Sequence, residues 1–127
     1  NEGRVLKTFC VGEPVMMVRE ARGNLWIQGF ATVYVFQGEH LIRHLPLPTG
    51  SRTAWGPNGF CISQDKEVTL FTSLGEATGR ILFNRPVSTT IWSDDSLVIE
   101  TSNRCFVFSI DASTTNSTPD SKVILQL

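Results

Sequence analysis

The residues of this chain that could take part in acid–base, metal or nucleophilic chemistry are few and poorly spaced for it. His40 and His44 are the two histidines, and on a strand residues four apart stand roughly 13 Å from each other, too far to share a metal ion. The adjacent acids Asp94 and Asp95 lie between two apolar runs, which is typical of a turn. No nucleophile elbow, phosphate-binding glycine loop or HExxH motif occurs. We therefore predict no catalytic residue, no metal site and no cofactor, and expect that the chain is not an enzyme.

The three cysteines, Cys10, Cys61 and Cys105, are spread along the chain without any CxxC pair. We interpret all three as buried apolar residues, and their odd number fits poorly with a secreted disulfide framework. One disulfide plus one free thiol is the alternative. Apolar runs are too short to span a bilayer, and the first residues do not resemble a signal peptide. We expect an intracellular, cytoplasmic protein without a membrane partner.

Composition places the chain among ordinary globular domains. Its 127 residues are 41% hydrophobic and 18% charged, which is enough apolar material for one core. The 11 basic and 12 acidic residues give a formal charge of −1. Because no net positive charge draws it to phosphates, we expect no nucleic acid partner, and we predict a single β domain over 1–127.

Short apolar runs rich in β-branched and aromatic residues recur along the chain, each closed by turn residues, and they predict strands. Phe36, Phe71 and Phe108 each end such a run, and they lie 35 and 37 residues apart. Trp55 and Trp92 mark an earlier strand of the unit, again 37 residues apart. Core packing explains these aromatic residues, and Trp26, without a ligand.

The repeating unit has four strands, which we label a to d. The predicted repeats lie near 13–45, 49–83 and 87–127, with Lys122–Leu125 as the last d strand, and a lone d-type strand precedes them at 3–8. A four-stranded antiparallel unit of about 37 residues is typical of a β-propeller blade. The predicted fold is therefore all-β, a partial β-propeller of four-stranded antiparallel blades, with a compact β-sandwich or barrel as the alternative.

The repeats resemble the WD40-like family, in which an aromatic residue closes strand c and a polar turn separates strands a and b. The family commonly has Trp-Asp at the end of strand c, where this chain has Phe36-Gln37, Phe71-Thr72 and Phe108-Ser109. Asp65 stands in the b–c turn of the second repeat, where the family often has a structural aspartate. The resemblance implies partner binding on the face that carries the d–a and b–c connections.

That face would carry the candidate partner-binding residues Phe30, Arg52, Lys66, Arg85 and Arg104. The four cations would form a local positive patch suited to an acidic or phosphorylated peptide, and ordinary solvated surface cations are the alternative. Phe30 is either an exposed contact or a residue packed over a blade edge.

Three blades leave apolar faces at both ends of the array. Either this sequence is one piece of a longer chain, or a protein partner or a second copy covers these faces. We therefore predict a non-enzymatic protein–protein interaction or scaffold module that contributes blades to a larger assembly. The alternatives are a β-sandwich that recognises phosphopeptides and a fragment of a ligand-sensing or enzymatic propeller.

Overall fold

The computed structural model describes residues 3–110 and, as backbone, residues 123–126; the stretch 111–122 of the third predicted repeat lies outside the described residues. The strands are β1 (Val15–Ala21), β2 (Asn24–Gly29), β3 (Thr32–Gln37), β4 (His40–Pro46), β5 (Arg52–Trp55), β6 (Gly59–Gln64), β7 (Glu67–Thr72), β8 (Ala77–Leu82), β9 (Val87–Ser93), β10 (Ser96–Thr101), β11 (Cys105–Ser109) and β12 (Val123–Gln126). The part of the chain that the structure describes contains no helix long and apolar enough to cross a bilayer.

Three antiparallel sheets follow one another along the chain. The first sheet is β1 to β4, the second is β5 to β8 and the third is β9 to β11, each with its strands in chain order. Hairpin turns close them, and Asp94 adopts a left-handed φ of 45° in the two-residue turn between β9 and β10, which confirms its predicted turn role. Within the described residues no sheet closes into a barrel. The predicted fold class is confirmed: the chain is all-β and its sheets are propeller-type blades.

The sheets pack face to face, so that apolar cores lie between them rather than within one closed shell. One core joins the first and second sheets, and another joins the second and third. In the first of these cores Trp26 of β2 stacks on Trp55 of β5, with ring centroids 5.3 Å apart. Burial of these apolar faces is what holds successive blades together.

The second sheet shows how one blade serves two cores. Cys61 and Leu70 contact the third sheet, whereas Phe60 and Phe71 contact the first. We call the side of a sheet that meets the following sheet its forward face, and the side that meets the preceding sheet its rear face. Because both faces of this sheet are covered, its central strands are apolar at most positions and do not alternate with polar residues.

The predicted strand at 3–8 is not a strand. These residues are extended chain without a sheet partner, and they lead into a segment that lies on the rear face of the first sheet. There Phe9 packs edge-on against Phe36, with centroids 5.0 Å apart. The apolar rear face of the first sheet holds the segment through the Phe9 ring.

The last strand also pairs differently from the repeat pattern. β12 runs parallel to β8 and extends the second sheet to five strands, whereas a d strand of the third repeat would run antiparallel to β11. Apart from β12, both β8 and β11 would present an outer edge with unpaired backbone groups, and either edge could accept a short strand. Sequence periodicity does not distinguish the two edges, which is why the repeat pattern predicts the wrong one.

Glu13 fastens the N-terminal segment to the first sheet. Its carboxylate accepts hydrogen bonds from Tyr34 Oη and from the Ala31 amide, each at 2.6 Å. These bonds, the Tyr34 one above all, lower the pKa of Glu13, and the hydrogen bond to Glu13 raises the pKa of Tyr34. Since the pKa of Glu13 falls on folding, its stabilising contribution is complete above the ordinary value of 4.5 and is lost as the pH drops through the lowered folded-state value.

We expect Glu13→Gln to reduce the hydrogen-exchange protection of the Ala31 amide and to abolish the acid-dependent part of that protection. Exchange measured by NMR between neutral and acid pH tests this. Glu39→Gln is the control, because Glu39 forms only an exposed ion pair with Lys7 at 3.9 Å. Equal Ala31 protection in the wild-type and Glu13→Gln proteins would contradict the assignment.

Candidate functional site

The forward face of the third sheet exposes a row of apolar side chains that crosses all three strands. Ile91 lies opposite Val98, and Val98 lies opposite Val107. Ile91 is 55% exposed and Val107 is 69% exposed, while Val98 is half-buried between them. We call these three residues the apolar row. Contiguous apolar side chains on a sheet face are a feature of interaction surfaces.

The equivalent row of the second sheet is buried. It consists of Ala54, Cys61 and Leu70, paired in the same register, and each lies 37 positions before its counterpart in the apolar row. These residues are 6%, 0% and 0% exposed, because the third sheet covers them. The apolar row is therefore a forward face of the same kind, presented to solvent.

Polar residues border the apolar row on both sides. The pairings that place them there are Ser93 with Ser96 and Ser96 with Ser109 at one end, and Thr89 with Glu100 and Glu100 with Cys105 at the other. An apolar centre with a polar rim is the usual composition of a protein–protein interface.

The exposure of the cysteines distinguishes the covered forward face of the second sheet from the open forward face of the third. Cys61 is buried, as predicted, and its burial raises the pKa of the thiol to about 12. The prediction of burial is wrong for Cys10 and Cys105, which are exposed free thiols. Cys105 occupies the position of Val68, which is 0% exposed in the second sheet. The repeat pattern predicts a buried Cys105, and it is exposed because none of the sheets in the described part of the chain lies on that face.

A second candidate surface lies at the end of the sheets that carries the b–c turns and the connections between sheets. In the second sheet these two segments are joined: the Phe83 amide donates to the Lys66 carbonyl at 2.8 Å, and the Val87 amide donates to the Asp65 carbonyl at 2.7 Å. In the second sheet, the connection 83–86 is therefore held against the b–c turn at one end of the sheet, and the binding role of that end stays a prediction.

Two of the predicted cations share a cleft at this end. The cleft has a volume of about 200 Å³ and lies between the second and third sheets. It is lined by Phe83, Asn84, Arg85, Thr101, Asn103, Arg104 and Phe106. The structure thus brings Arg85 and Arg104 together, although they stand in different connections of the chain.

The other three predicted residues do not reach this cleft. Arg52 donates from Nη1 to the Ser88 carbonyl, and Lys66 lines a separate depression together with Asp65 and Glu67. Phe30 is 76% exposed at the b–c turn of the first sheet, so it does not pack over a blade edge. Its role as a contact stays a prediction.

The site residues predicted from the sequence do not include the other residues that line the cleft. Phe83 and Phe106 meet edge-to-face with centroids 5.3 Å apart, and Asn84 and Asn103 precede the two arginines in sequence. The repeated dipeptide Asn-Arg at two turns of the same face was the available signal. Over the residues that can be described, no group of three His, Cys, Asp or Glu side chains is placed to hold a metal ion.

No family model and no curated protein sequence matches this chain. Among solved structures it is similar to Hsv2 of Kluyvelomyces marxianus, with a TM-score of 0.43 and 11% sequence identity over 85% of this chain. The match covers 50% of the Hsv2 chain, so this chain spans about half of its length. The sheets are propeller-type blades by their own topology and packing: each has antiparallel strands in chain order and packs face to face on the next sheet.

Proposed function

We propose that this chain is a non-enzymatic protein–protein interaction module that contributes three propeller blades to a larger assembly. The observation that supports this is the apolar row, which stands in the register where the second sheet buries its own residues against the next blade. The occupant of this face is a fourth blade-like sheet, supplied by a protein partner or by a second copy of the chain.

The chemistry of the occupant follows from the two blade contacts already made. Each forward face meets a rear face rich in aromatic and large aliphatic residues, with Phe60 and Phe71 in the second sheet and Leu97 and Phe108 in the third. A fourth sheet that places such residues over Val107 would bury the row. Burial of apolar area stabilises an association by about 25 cal/mol per Å² before the costs of ordering are subtracted.

The free thiols of Cys10, Cys61 and Cys105 support the interior of the cell as the location of this module. Its mechanism is presentation of surfaces on a rigid scaffold, since the sheets are fixed to one another by buried side chains rather than by flexible linkers. Such a module acts by holding partners in a defined orientation, and no chemical step is required.

We expect the isolated chain to self-associate through the apolar row, so that its mass in light scattering rises above 14.1 kDa as concentration increases. Val107→Asp should restore the monomer, because a carboxylate within the contact would have to lose its water. Val5→Asp is the matched control: Val5 is 79% exposed and belongs to no sheet.

Thiol labelling gives a second readout of the same contact. Cys105 borders the apolar row, and Cys10 lies outside the third sheet. Cys61 reacts slowly because it is buried and its raised pKa keeps it in the thiol form at neutral pH. Association should slow the labelling of Cys105 relative to Cys10, and Val107→Asp should remove the difference. A monomer of 14.1 kDa at every concentration, with Cys105 and Cys10 labelled alike, would contradict self-association through the apolar row.

A further inference from the structure

The cleft between the second and third sheets is a binding site of its own, separate from the apolar row. We propose that Arg85 and Arg104 bind the anionic side chain of an extended peptide there, with phosphate or carboxylate as the charged group. The proposal goes beyond the blade contact described above, since it concerns the end of the sheets rather than a face.

The first support is that the arginine and asparagine side chains of the cleft have no hydrogen-bond or ion-pair partner among the described residues. Among the side chains that the structure describes, none forms a hydrogen bond or ion pair with the guanidinium of Arg85 or Arg104, or with the carboxamide of Asn84 or Asn103. Four other arginines do have partners within the chain, namely Arg22 with Asn58, Arg43 with Glu76, Arg52 with Ser88 and Arg80 with Glu67.

The second support is the charge of the cleft. Of the described residues that line it, two are arginines and none is acidic. Two guanidinium groups that share a concave site without a countercharge attract an anion, and the planar fork of arginine matches the oxygens of phosphate and carboxylate. The chain as a whole carries a formal charge of −1, so this attraction is local.

The third support is that the asparagines and aromatic rings of the cleft favour a peptide as the ligand. Asn84 and Asn103 each offer an amide donor and an amide acceptor, which is the pairing that a peptide backbone requires. The rings of Phe83 and Phe106 give the cleft an apolar wall for the side chains that flank the charged residue. A nucleic acid needs cations along a track of phosphates, whereas only two converge here.

The site also depends on the docking of the two sheets. Phe83 and Arg85 come from the connection between β8 and β9, whereas Arg104 comes from the turn between β10 and β11 and Phe106 from the start of β11. Neither sheet alone presents both arginines. A cleft of about 200 Å³ admits one charged side chain and the backbone next to it.

The test is titration of the chain with three peptides that differ at one central residue, phosphoserine, glutamate or serine, within an alanine and glycine background. We expect the phosphoserine or the glutamate peptide to bind at least tenfold more tightly than the serine peptide. Comparison of the two anionic peptides identifies the charged group. Arg85→Gln and Arg104→Gln should each weaken that binding by about 10- to 150-fold, since a hydrogen bond to a charged group contributes roughly 1.5–3 kcal/mol.

The control variant is Arg19→Gln, because Arg19 is an exposed cation of β1 away from the cleft. It should leave peptide binding unchanged, and thermal unfolding of all three variants should match the wild-type protein. Equal binding of the serine peptide, an equal loss in Arg19→Gln, or tighter binding of single-stranded DNA or of anionic lipid vesicles than of the best peptide would overturn the proposal. Inorganic phosphate should compete with the phosphoserine peptide if phosphate is the charged group.

Discussion

Replacement of Trp26 by alanine is expected to lower the free energy of unfolding by about 3–5 kcal/mol, the usual range for removing a buried tryptophan. Trp26 is 0% exposed on the forward face of the first sheet. Its ring contacts Trp55 at 5.3 Å and Phe60 at 5.1 Å between centroids, both on the second sheet. The change would therefore empty the centre of the contact between two blades.

The indole nitrogen of Trp26 adds a polar tie to the same contact. Nε1 donates to the carbonyl oxygen of Ser73 at 2.8 Å, and Ser73 lies in the turn after β7. Asn24 donates to the same oxygen from its side chain at 3.1 Å. Trp26→Phe should keep most of the apolar contact but lose this bond, which contributes about 1 kcal/mol.

Trp55→Phe is the matched variant for that bond. Trp55 packs in the same core, but its Nε1 is buried without a hydrogen-bond partner among the described residues. Because removal of an unsatisfied donor relieves a desolvation cost, Trp55→Phe should destabilise the protein less than Trp26→Phe.

Urea unfolding followed by circular dichroism measures both differences. Phe30→Ala, at a residue that is 76% exposed, should change stability by less than about 0.5 kcal/mol. A Trp26→Ala protein as stable as Phe30→Ala would contradict the role of this core in joining the blades.

The blade architecture was readable from the sequence because the register repeats. Three buried residues of the second sheet lie 37 positions before three residues that take the same places in the third. The same periodicity gives wrong predictions for features that depend on a neighbouring sheet, namely the burial of a face and the pairing of an edge strand. Cys105 has the sequence position of a buried residue but is exposed. β12 pairs with β8, and the hydrophobic spacing of the sequence does not specify which open edge such a strand takes.

The binding end shows a similar limit. The turns that carry Arg85 and Arg104 could be assigned to one end of the sheets from the order of the strands. Their convergence on one cleft depends on how closely the second and third sheets approach. The hydrogen bond from Arg52 to the Ser88 carbonyl, which keeps Arg52 out of the cleft, depends on the same approach. Such distances are set by side-chain packing between blades, for which a strand pattern carries little information.

The close approach of these two sheets leads to the second large effect that we expect. Gly56 and Gly59 flank the turn between β5 and β6, which the Gly56 amide closes by donating to the Gly59 carbonyl at 2.8 Å. A β-carbon at Gly59 would collide with the backbone oxygen of Phe71, and one at Gly56 would collide with the indole ring of Trp92. Both glycines are buried, and they leave the space in which Trp92 of the third sheet sits.

We expect Gly59→Ala to destabilise the protein by about 3 kcal/mol, because the atom it meets belongs to the backbone of the paired strand and cannot move by itself. Gly56→Ala should cost about 1–3 kcal/mol, since Trp92 can shift at the expense of its own packing. Urea unfolding gives both values, and the near-ultraviolet circular dichroism of the tryptophans should change in each variant. Gly12→Ala is the control, because a β-carbon there meets nothing within 4 Å. If Gly56→Ala and Gly12→Ala were equally stable, the second and third sheets would not meet as closely at Trp92 as the structure shows, and the cleft of Arg85 and Arg104 would lose its basis as well.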